Sequence, residues 1–228
     1  MELVQALRTT GAVREFTDQP VDDATLWRVL DHARFAPSGG NRQGWRVVVV
    51  KDSRTKRALR DLYLPGWYEY LAQHQAGLVP WAPVNDRRAE QEAIRQAPEL
   101  ARRAAGGGGM AEELDRAPAL LLLLADLRVL AAADRDLGRY TFAGGASVYP
   151  FAWSILLAAR LEGLGGVLTT MVVRREAEVR ALVGAPDEVA VAGLLVLGHP
   201  RHQVRRLRRR EVGELATLDR LDGPPLQG

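Results

Sequence analysis

The chain has 228 residues, 47% apolar and 26% charged, which suits a globular protein with its own core and excludes disorder on a large scale. It has no cysteine, so disulfides, thiolate metal sites and thiol nucleophiles are excluded together, in keeping with a reducing, cytoplasmic setting. The net charge of +3 is small, and much of it gathers in RHQVRRLRRR at 201–210. Such a block suits a phosphate group, anionic lipid or nucleic acid, or simply a solvated tail.

The opening MELVQALRTTG lacks the apolar stretch of a secretory signal, and Leu3 and Leu7 predict a short helix closed by Thr9-Thr10-Gly11. Asp22 or Asp23 caps a second helix, with Leu26, Val29, Leu30 and Ala33 along one face. Pro37-Ser38-Gly39-Gly40-Asn41 breaks the chain into a loop, and Trp45 to Val50 (WRVVVV) reads as a buried strand. Ser53 caps a third helix that ends near Leu62.

Residues 64–116 have a different texture, with four prolines, the aromatics Trp67, Tyr68, Tyr70 and Trp81, a charged helical piece at 85–104, and the glycine run 106–109 as a hinge. Regular pattern returns with Ala119 to Asp126 (ALLLLLAD), a buried strand preceded by Pro118; its apolar run is too short to cross a bilayer. Residues 143–164 read as a central apolar helix, with Pro150 as a kink or as its true first turn, closed by Gly163 and Gly165. Strand Gly166 to Val172, helix Glu176 to Val183 and strand Val189 to Leu197 follow. Helices and strands alternate too irregularly for a doubly wound sheet, so the expected class is α+β.

Chemistry-bearing constellations are sparse. His32, His74, His199 and His202 show no metal-ligand spacing, and no metal site is expected. There is no GxSxG, no Walker A and no GxGxxG after a strand. An enzyme built from this sequence needs a cofactor for its hard chemistry.

Three segments stand out in order. The first is Thr10-Gly11-Ala12-Val13-Arg14-Glu15-Phe16 with Pro20-Val21. The second is Ala36 to Trp45 (APSGGNRQGW), running straight into a strand. The third is LEGLGGVLTT at 161–170, followed by Gly198-His199-Pro200 and the arginine cluster. Together they resemble the nitroreductase family of FMN enzymes over most of residues 3–215, with 64–116 unmatched.

The resemblance implies a central, mainly antiparallel sheet flanked by helices, in a single domain spanning 1–228. It also implies a variable lid-like insertion at about 64–116, a C-terminal arm at about 199–228, and an intertwined homodimer whose core holds the long apolar helix. FMN would be held by Thr10, Gly11, Ala12 and Arg14, by Pro37, Ser38, Gly39, Asn41 and Gln43, by Leu168, Thr169 and Thr170, and by Arg208 and Arg209, or Arg210 in a neighbouring register. Arg14 would meet the phosphate or the N1–C2=O edge, and Thr169 or Thr170 the N5 edge. The C-terminal arginines would grip the phosphate.

No side chain is implied as catalytic. NADPH or NADH would reduce the flavin, and an electron-poor small molecule, a nitroaromatic or quinone, would then be reduced in turn. Trp67, Tyr68, Tyr70 and Trp81 are expected either to form the lid that selects this acceptor or to pack on the core. No nucleic-acid or membrane partner is implied. The sequence departs from the family where the opening Arg-Arg-Ser or Arg-His-Ser is replaced by Thr10, Gly11 and Ala12. Backbone N–H groups there, Arg8 or the C-terminal arginines are the replacements at hand; weak FMN affinity or a different cofactor is the alternative. Other functions left open are a specialised dehalogenating, flavin-destroying or biosynthetic oxidase reaction, a non-enzymatic flavin store, and nucleic-acid binding through the arginine block.

Overall fold

The computed structural model describes residues 1–104 and 109–228, so Gly106, Gly107 and Gly108 of the glycine run lie outside the described residues. In chain order the elements are α1 (Leu3–Thr9), α2 (Asp23–Ala33), β1 (Trp45–Val50), α3 (Ser53–Gln75), α4 (Arg87–Ile94) and α5 (Ala97–Ala104), then β2 (Ala119–Asp126), α6 (Tyr149–Leu161), β3 (Gly165–Thr169), α7 (Glu176–Val183) and β4 (Val189–Gly198). The four strands form one sheet in the order β1-β2-β4-β3, and every neighbouring pair is antiparallel. The class is α+β with a central antiparallel sheet, as the sequence predicts. No helix among the described residues is long and apolar enough to cross a membrane.

Helices cover both faces of the sheet, which explains why β2 is apolar without alternation and buried along its whole length. Leu121, Leu123, Leu195 and Leu197 pack with α2 (Leu26, Val29) and α6 (Phe151, Ile155). The alternate residues Leu120, Leu122, Leu194 and Val196 pack with α3 (Leu59, Tyr63) and α7 (Val179). Each fully buried leucine here contributes roughly 1.5–3 kcal/mol, so the sheet centre is the stability core.

Several boundaries differ from expectation for identifiable reasons. The cap of α3 is Asp52, whose carboxylate accepts the Thr55 N–H at 2.8 Å, and the helix runs through Pro65 to Gln75 rather than ending near Leu62. A proline inside a helix removes one backbone hydrogen bond. Burial of Leu59 and Tyr63 before it, and of Tyr68 and Ala72 after it, keeps the helix going. Gly66 makes the Pro-Gly pair a notch, because a Cβ there would lie 3.1 Å from the Met171 carbonyl of the turn that follows β3. The charged piece at 85–104 is two helices, α4 and α5, rather than one.

Helix α6 starts at Tyr149, with Pro150 in its first turn, and residues 143–147 form a separate 3-10 turn around Gly144 and Gly145. Strand β3 begins at Gly165 and stops at Thr169, and Met171–Arg175 turn away. Thr169 pairs with Leu194, the last partner before the register of β4 shifts at Gly193. Strand β1 lies at the sheet edge with Arg46 exposed, so it is covered less than its run of valines suggests.

Candidate cofactor site

After α1 the chain runs extended along the free edge of β3. Ala12 bridges Gly166 in parallel, and the Val13 N–H donates to the Gly166 carbonyl at 2.9 Å. Further on, the Thr17 N–H donates to His199 O at 2.8 Å and the Arg201 N–H to Glu15 O at 3.0 Å, so residues 12–17 lie between β3 and the chain that leaves β4. Close approach needs glycine on the sheet side: a Cβ at Gly165 would meet Val13 at 2.8 Å, and one at Gly198 would meet Phe16 at 2.8 Å. Arg14 is exposed and makes no ion pair among the described residues. It lines a cleft of about 450 Å³ with Phe16, Met110, Arg116, Val196 and Arg201.

Thr169, at the end of β3, shares a 3.0 Å hydrogen bond with the hydroxyl of Tyr63 on α3. Tyr63 is 1% exposed. Burial raises its phenol above the ordinary tyrosine range, while the hydrogen bond to Thr169 and the nearby charge of Arg14 oppose that shift. Thr169 at the end of β3 thus bonds Tyr63 of α3, and the charge of Arg14, on the segment that pairs with the free edge of β3, is felt at that phenol. Leu168 faces the opposite layer, packed against the α2–α6 cluster, and Thr170 is exposed where the next turn begins.

Tyr63 was not legible as a site residue, because a helix ending near Leu62 leaves it in a loop. Once the helix continues, Tyr63, Trp67, Tyr70 and His74 fall at i, i+4, i+7 and i+11 on one face. Trp67 stacks on Tyr70 with centroids 5.5 Å apart, and Tyr70 also meets Trp81 at 6.3 Å. Arg174, from the turn after β3, sits over the Trp81 ring at 5.2 Å and donates to Glu69 at 3.0 Å. Tyr68 is buried with Ala72 and Ala97, in a cluster against which Trp67 packs.

The Ser38 loop is built by short polar bonds. Ser38 Oγ accepts the Gln43 N–H at 2.9 Å, and the Gln43 amide donates to Asn41 Oδ1 at 3.1 Å. Asn41 and Gln43 both take left-handed backbone angles, φ 52° and 51°, and Pro37, Gly39, Asn41 and Gln43 are exposed. Ser147 Oγ accepts the Gly39 N–H at 3.0 Å, which ties the loop to the connection between β2 and α6. That connection is organised by buried Asp134. Its carboxylate accepts from Thr141 Oγ1 at 2.5 Å, Arg139 at 2.8 Å, Phe142 N–H at 2.9 Å and Ala143 N–H at 3.2 Å. Those donors, the Thr141 hydroxyl foremost, hold Asp134 well below the usual carboxylate range.

The Ser38 loop leads into β1, and β3 lies at the other edge of the sheet. Three strand spacings, about 14 Å, separate those edges. Within one chain the Ser38 loop and Thr169 are thus not neighbours.

The arginine block folds back onto the first turn of the chain. Leu207 and Val204 cover Gly11, where a Cβ would lie 2.7 Å from Leu207. A cleft of about 480 Å³ is lined by Leu7, Arg8, Arg205, Arg206, Leu207 and Arg209. None of those four guanidiniums makes an ion pair among the described residues. Arg208 and Arg209 are exposed, and Arg209 donates only to the Arg208 carbonyl, at 2.7 Å. Thr10 is buried, and its hydroxyl has no hydrogen-bond partner among the described residues. Four guanidiniums lining one cleft without a carboxylate partner among the described residues make a donor set that fits a phosphate monoester. Arg205 and Arg206 belong to this cleft although the sequence motif singles out Arg208 and Arg209; only the fold of the arm reveals it.

A sequence profile of the Nitroreductase family matches residues 7–199. A protein of Thermus thermophilus named NADH dehydrogenase is 31% identical over 192 residues, which is 84% of this chain and 83% of the relative. Among solved structures, a BluB-like flavoprotein from Clostridium difficile 630 superposes with a TM-score of 0.68 at 20% identity, over 96% of this chain and 100% of that one. An oxidized iodotyrosine deiodinase bound to FMN and 3-iodo-L-tyrosine does so with a TM-score of 0.61 at 24% identity, over 92% and 96%. The two structural likenesses show the fold.

Proposed function

This chain belongs to the nitroreductase family, and from that premise we propose that it is an FMN-dependent oxidoreductase that uses NADPH or NADH to reduce an electron-poor small molecule such as a nitroaromatic or a quinone. The observation that carries this reading is Arg14, a guanidinium without an ion pair among the described residues, carried on the segment that Ala12 pairs with β3, its charge acting on the buried Tyr63 that bonds Thr169. A permanent positive charge at that place balances an anionic ring, and water-shielded polar groups set its orientation. Bound FMN would supply reversible hydride chemistry, and the protein supplies position and charge.

Phosphate-side binding falls to the backbone N–H groups of Gly11 and Ala12, the Thr10 hydroxyl, and Arg8, Arg205, Arg206 and Arg209, in place of the family's opening arginine and serine side chains; Arg208 stands beside Arg209 in the arm. Leu168 precedes Thr169 in β3, and Thr170 follows it at the start of the next turn. Trp67 and Tyr70, stacked, and Trp81, tilted against Tyr70, offer an aromatic wall for the acceptor, with Tyr68 serving to anchor it.

The complete site requires two copies of the chain. Pro37, Ser38, Gly39, Asn41 and Gln43 lie across the sheet from Thr169, so they serve a partner's ring rather than their own. Helix α6 leaves Tyr149, Trp153 and Leu161 exposed in one stripe, Trp153 at 40% and Leu161 at 52%, and α1 beside it leaves Leu3, Val4 and Leu7 uncovered. An apolar face of that kind is the mark of a surface that another chain covers.

The test is an absorption spectrum of the purified protein before and after reconstitution with FMN. The expected result is a yellow dimer with bands in the near-ultraviolet and blue, releasing a phosphate-bearing flavin and bleached by NADPH or NADH without oxygen. Turnover of nitroaromatics, quinones and haloaromatics then separates a general reductase from a dehalogenating member. A colourless protein that takes up no FMN ends the reading.

A further inference from the structure

We propose that Tyr63 sets the direction of the Thr169 hydroxyl: the phenol donates its proton to Thr169 Oγ1, so that the O–H of Thr169 points outward to the redox edge of the bound ring. This deepens the FMN reading above and rests on it. The two oxygens are 3.0 Å apart, and each carries one proton, so the bond has two possible directions.

Surroundings decide between them. Tyr63 is buried among Leu59, Val167, Val172 and Val196, and Thr169 Oγ1 is its one hydrogen-bond partner among the described residues. Were Thr169 to donate, the phenolic proton would be left in an apolar layer without an acceptor, which is the costly arrangement. Thr169 is half-buried at the open end of β3, where its own proton can meet water or a ligand. The nearby charge of Arg14 also favours electron density on the phenolic oxygen over a proton directed at the guanidinium.

The pair is also held rigidly. Gly66, three residues after Tyr63, lets α3 approach the Met171 carbonyl, and a Cβ at Gly193 would lie 3.0 Å from the Thr169 carbonyl. Tyr63 is therefore a positioning residue that acts through Thr169.

The full-length protein, stripped of flavin and titrated with FMN by fluorescence quenching, tests this with Tyr63→Phe, Thr169→Val, the double variant and Thr169→Ser. Each of the first two is expected to weaken FMN binding about 5-fold and to shift the visible flavin band in the same direction. The double variant should also lose about 5-fold rather than about 25-fold, because both changes act through one hydroxyl. Thr169→Ser, which keeps that hydroxyl, should bind like the unaltered protein.

Unchanged FMN affinity in Tyr63→Phe, or losses that multiply in the double variant, would overturn the proposal while leaving the site reading in place. Unaltered protein that takes up no FMN overturns both.

Discussion

The β2–α6 connection and the arginine arm both serve the proposed site, yet they are stabilised in opposite ways. In the connection, one buried carboxylate gathers a guanidinium, a hydroxyl and two backbone N–H groups, so the loop is complete without a ligand. In the arm, five arginines stand within residues 205–210, and none makes an ion pair among the described residues. The first region holds its shape in advance. The second carries like charges side by side, a state that an arriving anion relieves. On the proposed reading, a site made from both would keep one wall fixed and let a phosphate order the other, so mutations in the two regions should fail differently.

The sharpest way to break that contrast is Asp134→Ala. Removing the carboxylate strands several donors at once, and a lowering of the melting temperature by roughly 5 °C or more is expected, with or without FMN. FMN retention should fall as well, because Ser147 and the Ser38 loop lose their support. An unshifted melting curve would mean that the connection is held by something other than Asp134.

Arg209→Ala should do the reverse. Loss of one charge-assisted contact to phosphate is expected to weaken FMN about 10- to 100-fold, with the melting temperature of the flavin-free protein unchanged or slightly raised. Arg205→Ala should behave alike if both line the same anion, and added salt should weaken binding further. Equal FMN affinity in Arg209→Ala removes that residue from the site, and a marked fall in the flavin-free melting temperature would make the arm structural.

Acid titration separates the regions again, with a smaller effect at most working pH values. Asp134 lies well below the usual range, and Asp126, bonded to Arg128, is lowered to about 2. Carboxylates depressed in the folded state stabilise it above the unfolded value near 3.8, and that contribution is lost as pH falls toward the folded value. Melting temperature should be flat above about pH 5 and drop between about pH 4 and 2. In Asp134→Asn the drop should be shallower. The arginine arm stays charged throughout and contributes nothing to the slope.

What the sequence disclosed follows the same division. Strands β2 and β4 and helices α2 and α7 were legible because periodicity, caps and glycine stops act within a few residues; Gly184, with φ 68°, ends α7. Motif order is what singles out Arg14 and Thr169 as candidates. Tyr63 was hidden by Pro65, whose helix-breaking tendency is overridden by burial on both sides of it. Asp134 was hidden too, since its donors lie five to nine residues downstream in a stretch without pattern. That Arg205 and Arg206 line the cleft depends on how the arm folds over Gly11, which no local signal encodes.

The smallest predicted effect lies at the hinge between the two kinds of wall. Ser147→Ala removes one acceptor, the oxygen that takes the Gly39 N–H at 3.0 Å, and leaves the Asp134 network intact. Gly39 is exposed, so water replaces the lost bond and the melting temperature should move by about 2 °C or less. The Ser38 loop nevertheless loses the contact that fixes it to the connection, and its left-handed Asn41 and Gln43 must then be held by the loop alone. If that loop presents its polar edge to a partner's flavin, FMN affinity should weaken about 2- to 5-fold, with stability nearly unchanged. The same loss should appear in mixed dimers only at the site served by the altered loop, giving two equal classes of flavin site. A single class with unaltered affinity would place the Ser38 loop away from the cofactor and confine the site to the edge formed by Arg14, Tyr63 and Thr169.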